Sequence, residues 1–126
     1  MNKLTVNDEE IQNFRRYLMD EAARALTSDP SALQVTLLVL PTGEILLYPI
    51  HDLSDELSED QFFSKLKAEG KTHILHVLTM WKNQQIEIPK YSVRKHLFEL
   101  DEENAGACVL LQGEKGINGF RLSDLF

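Results

Sequence analysis

Apolar residues recur at helical spacing near the start of the sequence. Asn7 is a residue type that caps helices, and Glu10 stands where a capping-box side chain reaches back to the cap. The apolar positions that follow share one helix face, and the charged positions fall largely off it. The pattern predicts a helix over residues 8–27 that ends before Ser28-Asp29-Pro30. Its apolar stripe comprises Ile11, Phe14, Leu18, Ala22, Ala25 and Leu26.

A pair of β-segments follows this helix. Residues 34–40 are apolar on both alternating faces, the turn Pro41-Thr42-Gly43 comes next, and residues 44–50 alternate again. This pattern predicts an antiparallel hairpin. Pro49 cannot donate a hydrogen bond to a neighbouring strand, so the end of the second strand is expected at a sheet edge or a bend. A hairpin that is apolar on both sides must be covered on both sides, by helices or by a partner molecule.

The remaining segments alternate between helix and strand. Ser58 with Gln61 forms a second capping box, and the helix that it opens should end at Gly70. Ser92 can cap a third helix. The full prediction places strands at residues 73–81, 85–88, 107–112 and 120–123, the third helix at 93–103, and a glycine-rich turn at 113–119.

These elements predict an α+β fold. A single layered domain over residues 1–126 would hold a mixed sheet of five or six strands with three helices, in the order α-β-β-α-β-(β)-α-β-β. Neither an internal repeat nor a low-complexity segment divides the sequence. A chain of this length buries about two-thirds of its extended surface on folding, which is enough for one core without disulfides.

Composition narrows the functional classes. The sequence is 43% hydrophobic and 26% charged, which is typical of a globular protein, and its net charge of −7 argues against nucleic-acid binding by phosphate neutralisation. The sequence lacks an apolar run near the ~20 residues of a membrane helix and a signal-like apolar segment at its start. Cys108 is the single cysteine. We therefore expect a cytoplasmic protein that binds neither nucleic acid nor membrane.

Metal and cofactor motifs are absent. CxxC, HExxH and GxSxG patterns do not occur, and His73 and His76 would lie on opposite faces of a strand, so they could not share a metal. Apolar neighbours favour Cys108 as an inert core thiol. The sequence thus predicts no cofactor, no metal and no catalytic residue.

Charged residues form two kinds of cluster. Acidic residues between positions 52 and 60, including Glu59, are expected to form a solvated face. Lys90, Arg94, Lys95 and His96 are expected to form a basic face at the third helix. With Tyr91 they could dock a phosphate or nucleotide, but in a net acidic domain such residues more often pair with the domain's own acids.

One possible ligand pocket lies where the second strand ends. His51 follows that strand beside Asp52, a position where ligands and general bases often occur, and Tyr48 and Trp81 could complete a pocket there. A solvated loop is the alternative interpretation of His51.

A second possible site is the turn that contains Gly113, Gly116 and Gly119. Lys115 and Arg121 could bind a nucleotide or another anion there if backbone amides converged on it. A dinucleotide fingerprint would require GxGxxG between a strand and a helix, whereas a strand-like segment follows these glycines.

The order of elements is similar to the cytidine-deaminase-like arrangement. The zinc site of that arrangement needs a His or Cys with a Glu at one helix start and Pro-Cys-x-x-Cys at the next. The corresponding helix starts here are Ser58-Glu59-Asp60 and Tyr91-Ser92-Val93, which lack those ligands. The resemblance therefore implies the fold and not the zinc chemistry.

The functional hypothesis from sequence is a non-catalytic protein-interaction or regulatory domain. Its partner would be another protein or a second copy of the chain, in a homodimer, because three helices need not cover both faces of a sheet this apolar. The alternatives are a small enzyme or ligand-binding protein with the pocket near His51, Tyr48 and Trp81, and an anion sensor that uses the glycine turn.

Overall fold

A mixed six-stranded sheet forms the centre of the computed structural model, which describes residues 3–114 and 116–126. The strands are β1 (Gln34–Val39), β2 (Ile45–Ile50), β3 (His76–Trp81), β4 (Ile86–Glu87), β5 (Cys108–Gly113) and β6 (Gly116–Arg121). Their order is β2-β1-β3-β5-β6, with β4 paired to β3. β3 and β5 run parallel, and the other pairs among the described strands are antiparallel.

Helices cover both faces of the sheet. They are α1 (Lys3–Ser28), α2 (Glu56–Ala68) and α3 (Tyr91–Leu100), followed by 3-10 turns at Glu102–Gly106 and Leu122–Leu125. α1 packs on one face, and α2 and α3 pack on the other. The predicted α+β class, three helices and mixed sheet are confirmed. In the described ranges, no helix combines the length and apolar content needed to span a bilayer.

β1 is central because its side chains are buried on both faces. Leu37 points toward α1 and Leu38 toward α2 and α3, and both are fully buried. Burial of one such leucine stabilises the fold by about 2 kcal/mol. β2 lies at a sheet edge, as Pro49 predicted.

Several element ends differ from the predictions. α1 begins at Lys3, so Asn7 lies inside the helix instead of capping it. The cap of α2 is Asp55 rather than Ser58, because the Asp55 carboxylate accepts a hydrogen bond from the Ser58 backbone N–H at 3.0 Å. α3 ends at Leu100 because Asp101 opens the next 3-10 turn, where its carboxylate accepts from Glu103 N–H at 2.9 Å.

Two strands also have ends that differ from the predicted ones. β3 begins at His76 rather than at residue 73. β6 begins at Gly116, inside the predicted glycine turn, and residues 122–125 form a 3-10 turn instead of continuing the last strand. Gly116 and Gly119 permit close packing of α1 against β6. A Cβ at Gly116 would lie 2.9 Å from Gln12 Oε1, and a Cβ at Gly119 would lie 2.8 Å from a terminal nitrogen of Arg15. These glycines let α1 approach β6.

Candidate functional site

The starts of α2 and α3 meet on one face of the sheet. The Asp55 cap fixes the first turn of α2, and its hydrogen bonds from Ser58 hold the pKa of the Asp55 carboxyl below its usual value. α3 begins directly after Pro89 and Lys90. Lys90 has extended backbone and makes no side-chain cap, so its side chain is able to cross to α2.

Glu59 of α2 is the centre of this junction. Its side chain is only 1% exposed. Glu59 Oε1 lies 3.1 Å from Lys90 Nζ and accepts a hydrogen bond from the Ser92 hydroxyl at 3.1 Å. Glu59 Oε2 lies 3.1 Å from His96 Nδ1. A buried carboxylate is stable only when such partners replace its lost hydration, and three side chains do so here.

His96 connects the buried carboxylate to the surface. Its Nδ1 lies 2.9 Å from the Ser92 carbonyl oxygen as well as beside Glu59, so Nδ1 carries the donating proton. Its ring stacks on Phe63 with centroids 4.7 Å apart. The other nitrogen, Nε2, lies 3.0 Å from Asp60 Oδ1, and the Asp60 side chain is 63% exposed. Glu59 and the Ser92 carbonyl oxygen therefore hold the imidazole on its inner side, and the exposed Asp60 carboxylate contacts it on its outer side.

Tyr48 of β2 packs beneath α2. Its ring stacks on Phe62 with centroids 4.6 Å apart. Burial, together with the negative charges of Glu59, Asp55 and Asp60, raises the pKa of Tyr48 to about 12. The phenol consequently stays protonated at neutral pH and can act as a hydrogen-bond donor.

A surface groove of about 360 Å³ runs between α2 and α3 beside His96. Its size falls at the lower end of the range for small-molecule sites. The groove offers side chains of both charges, hydrogen-bonding groups, and the apolar side chains of Phe63 and Leu100. The lining residues are Asp60, Phe63, Ser64, Lys67, His96, Glu99 and Leu100.

The residues of the sequence-predicted pocket have different neighbours. His51 Nε2 lies 2.7 Å from Asp29 Oδ2, not beside Asp52. Asp52 instead accepts hydrogen bonds from Ser54, which lower the pKa of the Asp52 carboxyl. Tyr48 belongs to the core beneath α2, whereas Trp81 is paired in register with Gln34. A pocket shared by Tyr48, His51 and Trp81 remains a prediction.

Asp29 also accepts a hydrogen bond from the Ser31 hydroxyl at 2.8 Å. Both of these contacts lower the pKa of the Asp29 carboxyl. This carboxylate therefore lies between the serine and His51. Nucleophilic catalysis by serine requires the histidine in the middle, next to the hydroxyl, so this trio lacks the required order.

The other histidines and the cysteine lie apart from the α2–α3 junction. His73 Nδ1 is 3.6 Å from Glu103, while His76 packs edge-on against Phe14 of α1. Burial raises the pKa of the Cys108 thiol, which favours its neutral form. Among residues 3–114 and 116–126, no three His, Cys, Asp or Glu side chains are arranged to hold a metal ion.

The glycine-rich segment gives less information on an anion site. Lys115 lies outside the described residues. Arg121 is exposed at the end of β6. The Ile117 carbonyl oxygen there accepts hydrogen bonds from Arg15 at 2.7 Å and Gln12 at 3.0 Å. The anion site stays a prediction.

Sequence reasoning did not bring the three central residues of the junction together. Glu59 was assigned to a solvated acidic face, and the structure corrects this because its side chain is buried. Lys90 and His96 pair with an acid of the domain, as such basic residues were expected to do, but the sequence did not show that this acid is Glu59. Two features of the sequence could have pointed to the junction. They are Glu59 at the start of one helix and Pro89 just before the next.

Solved cytidine deaminases share this fold. The enzyme from Mycobacterium leprae aligns with a TM-score of 0.59 and 18% identity, over 86% of this chain and 92% of its own. The enzyme from Mycobacterium tuberculosis aligns with a TM-score of 0.57 and 17% identity, over 85% of this chain and 89% of its own. No protein-family model and no curated protein matches the sequence. The comparison confirms the fold that the order of elements resembled.

These structures contradict the hypothesis of a non-catalytic protein-binding domain, because its structural neighbours are enzymes. The alternative of a small enzyme or ligand-binding protein agrees better with them. The physical source of the error is clear at the α2–α3 junction: its histidine and carboxylates come from separate segments, so no local motif revealed them.

The residues at the junction do not fit the zinc of the deaminase fold. Zinc deaminases carry H-x-E at one helix start and P-C-x-x-C at the next. When Glu59 and Pro89 are matched to this signature, the three ligand positions are Leu57, Lys90 and Val93. Leu57 is 67% exposed, and Val93 is buried in the core. Two hydrocarbon side chains and an ammonium group provide no zinc ligand.

Proposed function

We propose that this chain is a small enzyme that works without zinc and binds a polar small molecule in the groove between α2 and α3. His96 would exchange a proton with that molecule. The observation that carries the proposal is the Glu59–His96 pair, in which a buried carboxylate holds Nδ1 and leaves Nε2 at the groove. This is the arrangement that orients a histidine for general acid–base catalysis.

The contact between His96 Nε2 and Asp60 suits ligand exchange. Both Nε2 and Nδ1 can donate only while the imidazole is doubly protonated. A ligand that accepts a hydrogen bond can replace the exposed Asp60 at Nε2, whereas Glu59 remains fixed behind the ring. Asp60 and Glu99 in the same groove favour a ligand that also carries an amino group.

Ligand binding with matched histidine variants tests the proposal. Backbone NMR shifts and thermal unfolding are measured with cytidine, cytosine, adenosine and small primary amines. We expect at least one compound to shift resonances of α2 and α3, and His96→Gln to weaken its binding by about tenfold or more. His51→Gln, which changes an exposed histidine outside the groove, is the control. The proposal fails if no compound shifts these resonances, or if both variants bind equally well.

The proposal includes self-association of a one-domain protein in the cytoplasm. Leu57, Tyr91 and Phe126 are large exposed apolar side chains, and Leu57 and Tyr91 lie at the starts of α2 and α3. A second copy that covers them would form a homodimer. Sedimentation equilibrium should then show a dimer at micromolar concentration, and a monomer at high micromolar concentration would exclude it. The unpaired Cys108 agrees with a reducing compartment.

A further inference from the structure

When Pro89 is matched to the proline of the P-C-x-x-C signature, Lys90 takes the position of the first cysteine, where zinc deaminases place a thiolate on the metal. Its ammonium group lies between two oxygen atoms: Nζ is 3.1 Å from Glu59 Oε1 and 2.8 Å from the Leu53 carbonyl oxygen. Its side chain is 24% exposed. The side chain thus places a positive charge next to the glutamate of the H-x-E signature.

We infer that the Lys90 ammonium is a built-in cation that takes the place of the metal ion at this point of the fold. A metal ion there would balance the charge of the buried glutamate and tie the two helix starts together. Lys90 does both, because its backbone opens α3 and its Nζ binds Glu59 of α2 and the loop before α2.

The hydrogen bonds of Glu59 support this inference. Oε1 accepts from Lys90 and Ser92, and Oε2 lies beside His96 Nδ1. Both oxygen atoms of the carboxylate are therefore held by side chains of α3 and its cap. An oxygen atom held in this way is poorly placed to act as the acid–base group of a metal-bound water, which is the role of the glutamate in zinc deaminases. In this chain Glu59 is a positioning residue for His96.

The charge balance also predicts that the folded chain loses stability when the Lys90 ammonium is removed. Glu59 is 1% exposed, so water cannot replace a lost partner without local opening. Truncation of Lys90 leaves the carboxylate one positive charge short, whereas simultaneous removal of the carboxylate charge relieves that imbalance. The inference consequently requires rescue by a second substitution, which a purely steric role of the lysine stem would not produce.

Thermal unfolding of four variants tests the inference. Lys90→Met keeps the length of the stem and removes the ammonium, and it should lower Tm by roughly 10 °C. The double variant Lys90→Met with Glu59→Gln should recover at least half of that loss. Glu59→Gln alone completes the cycle, and Lys95→Met, an exposed lysine on the same helix, is the control and should leave Tm nearly unchanged.

Zinc addition provides an independent readout. One equivalent of Zn²⁺ should neither raise the Tm of the wild-type chain nor bind with a stoichiometry near one in calorimetry. The inference is overturned if Lys90→Met is as stable as wild type, if Glu59→Gln does not rescue it, or if the wild-type chain binds one zinc ion with a stoichiometry near one. None of these readouts depends on the proposed ligand, so the inference can fail while the proposed function stands.

Discussion

Asn104 provides a direct test of how the segment that follows α3 is anchored. Its side chain is fully buried in the 3-10 turn Glu102–Gly106 and makes three hydrogen bonds to backbone. Its Oδ1 accepts from Ile74 N–H at 2.8 Å, and its Nδ2 donates to the carbonyl oxygens of Thr72 at 2.8 Å and Leu97 at 2.9 Å. One amide thus joins the end of α3 to the segment that leads into β3.

Replacement of Asn104 by Ala removes all three hydrogen bonds and leaves three backbone groups without this partner. At about 1 kcal/mol for each bond, the free energy of unfolding should fall by roughly 3 kcal/mol. For a domain of 126 residues this corresponds to a loss of roughly 12 °C in Tm. Asn104→Asp should cost at least as much, because a carboxylate would face two carbonyl oxygens.

Urea denaturation followed by circular dichroism measures this change, provided that the m-value stays constant. Asn118→Ala is the matched control, since Asn118 is exposed on β6, and its effect should stay within about 0.5 kcal/mol. A loss below about 1 kcal/mol for Asn104→Ala would refute the reasoning, because it would mean that water replaces the amide at a buried position.

Two further predictions concern pH. Burial and the nearby Arg15 guanidinium lower the pKa of His76 below 6.5, so the unfolded chain binds a proton that the folded chain resists. Stability should therefore fall as the pH drops from about 7.5 to about 5.5, and His76→Gln should flatten this dependence in urea titrations; an equal slope in both proteins would contradict it. Because the pKa of Tyr48 is raised to about 12, tyrosinate absorbance should show one step near that pH. Tyr48→Phe should remove this step, and its persistence in that variant would assign it to another tyrosine.

Local patterns determined the kinds of elements and much of their order. The apolar residues of 34–40 on both faces predicted a strand that must be covered on both sides, and β1 is buried between the two helical layers. Pro49 predicted an edge, and β2 is an edge strand. Such inferences succeed because side-chain alternation and proline geometry act within a few residues of the same segment.

The ends of the elements were less determined by local sequence. Ser58 and Ser92 are both good capping residues by type, yet neither caps its helix. Ser58 donates to Asp55, and Ser92 donates to Glu59, a residue 33 positions away along the chain. A serine hydroxyl donates to whichever acceptor the packed helices bring near it. The sequence does not give the distance between the hydroxyl and that acceptor.

The candidate site was decided by tertiary structure alone. Residue types predicted that Glu59 is a solvated acid and that Lys90 and His96 are bases that pair with some acid of the domain, but they did not show which residues meet. The packing of α2 beside α3 on one sheet face brings them within 3.1 Å and removes water from the carboxylate. Coulomb attraction and desolvation depend on distance and burial in three dimensions, so a one-dimensional pattern does not show which charges of two helices are buried together.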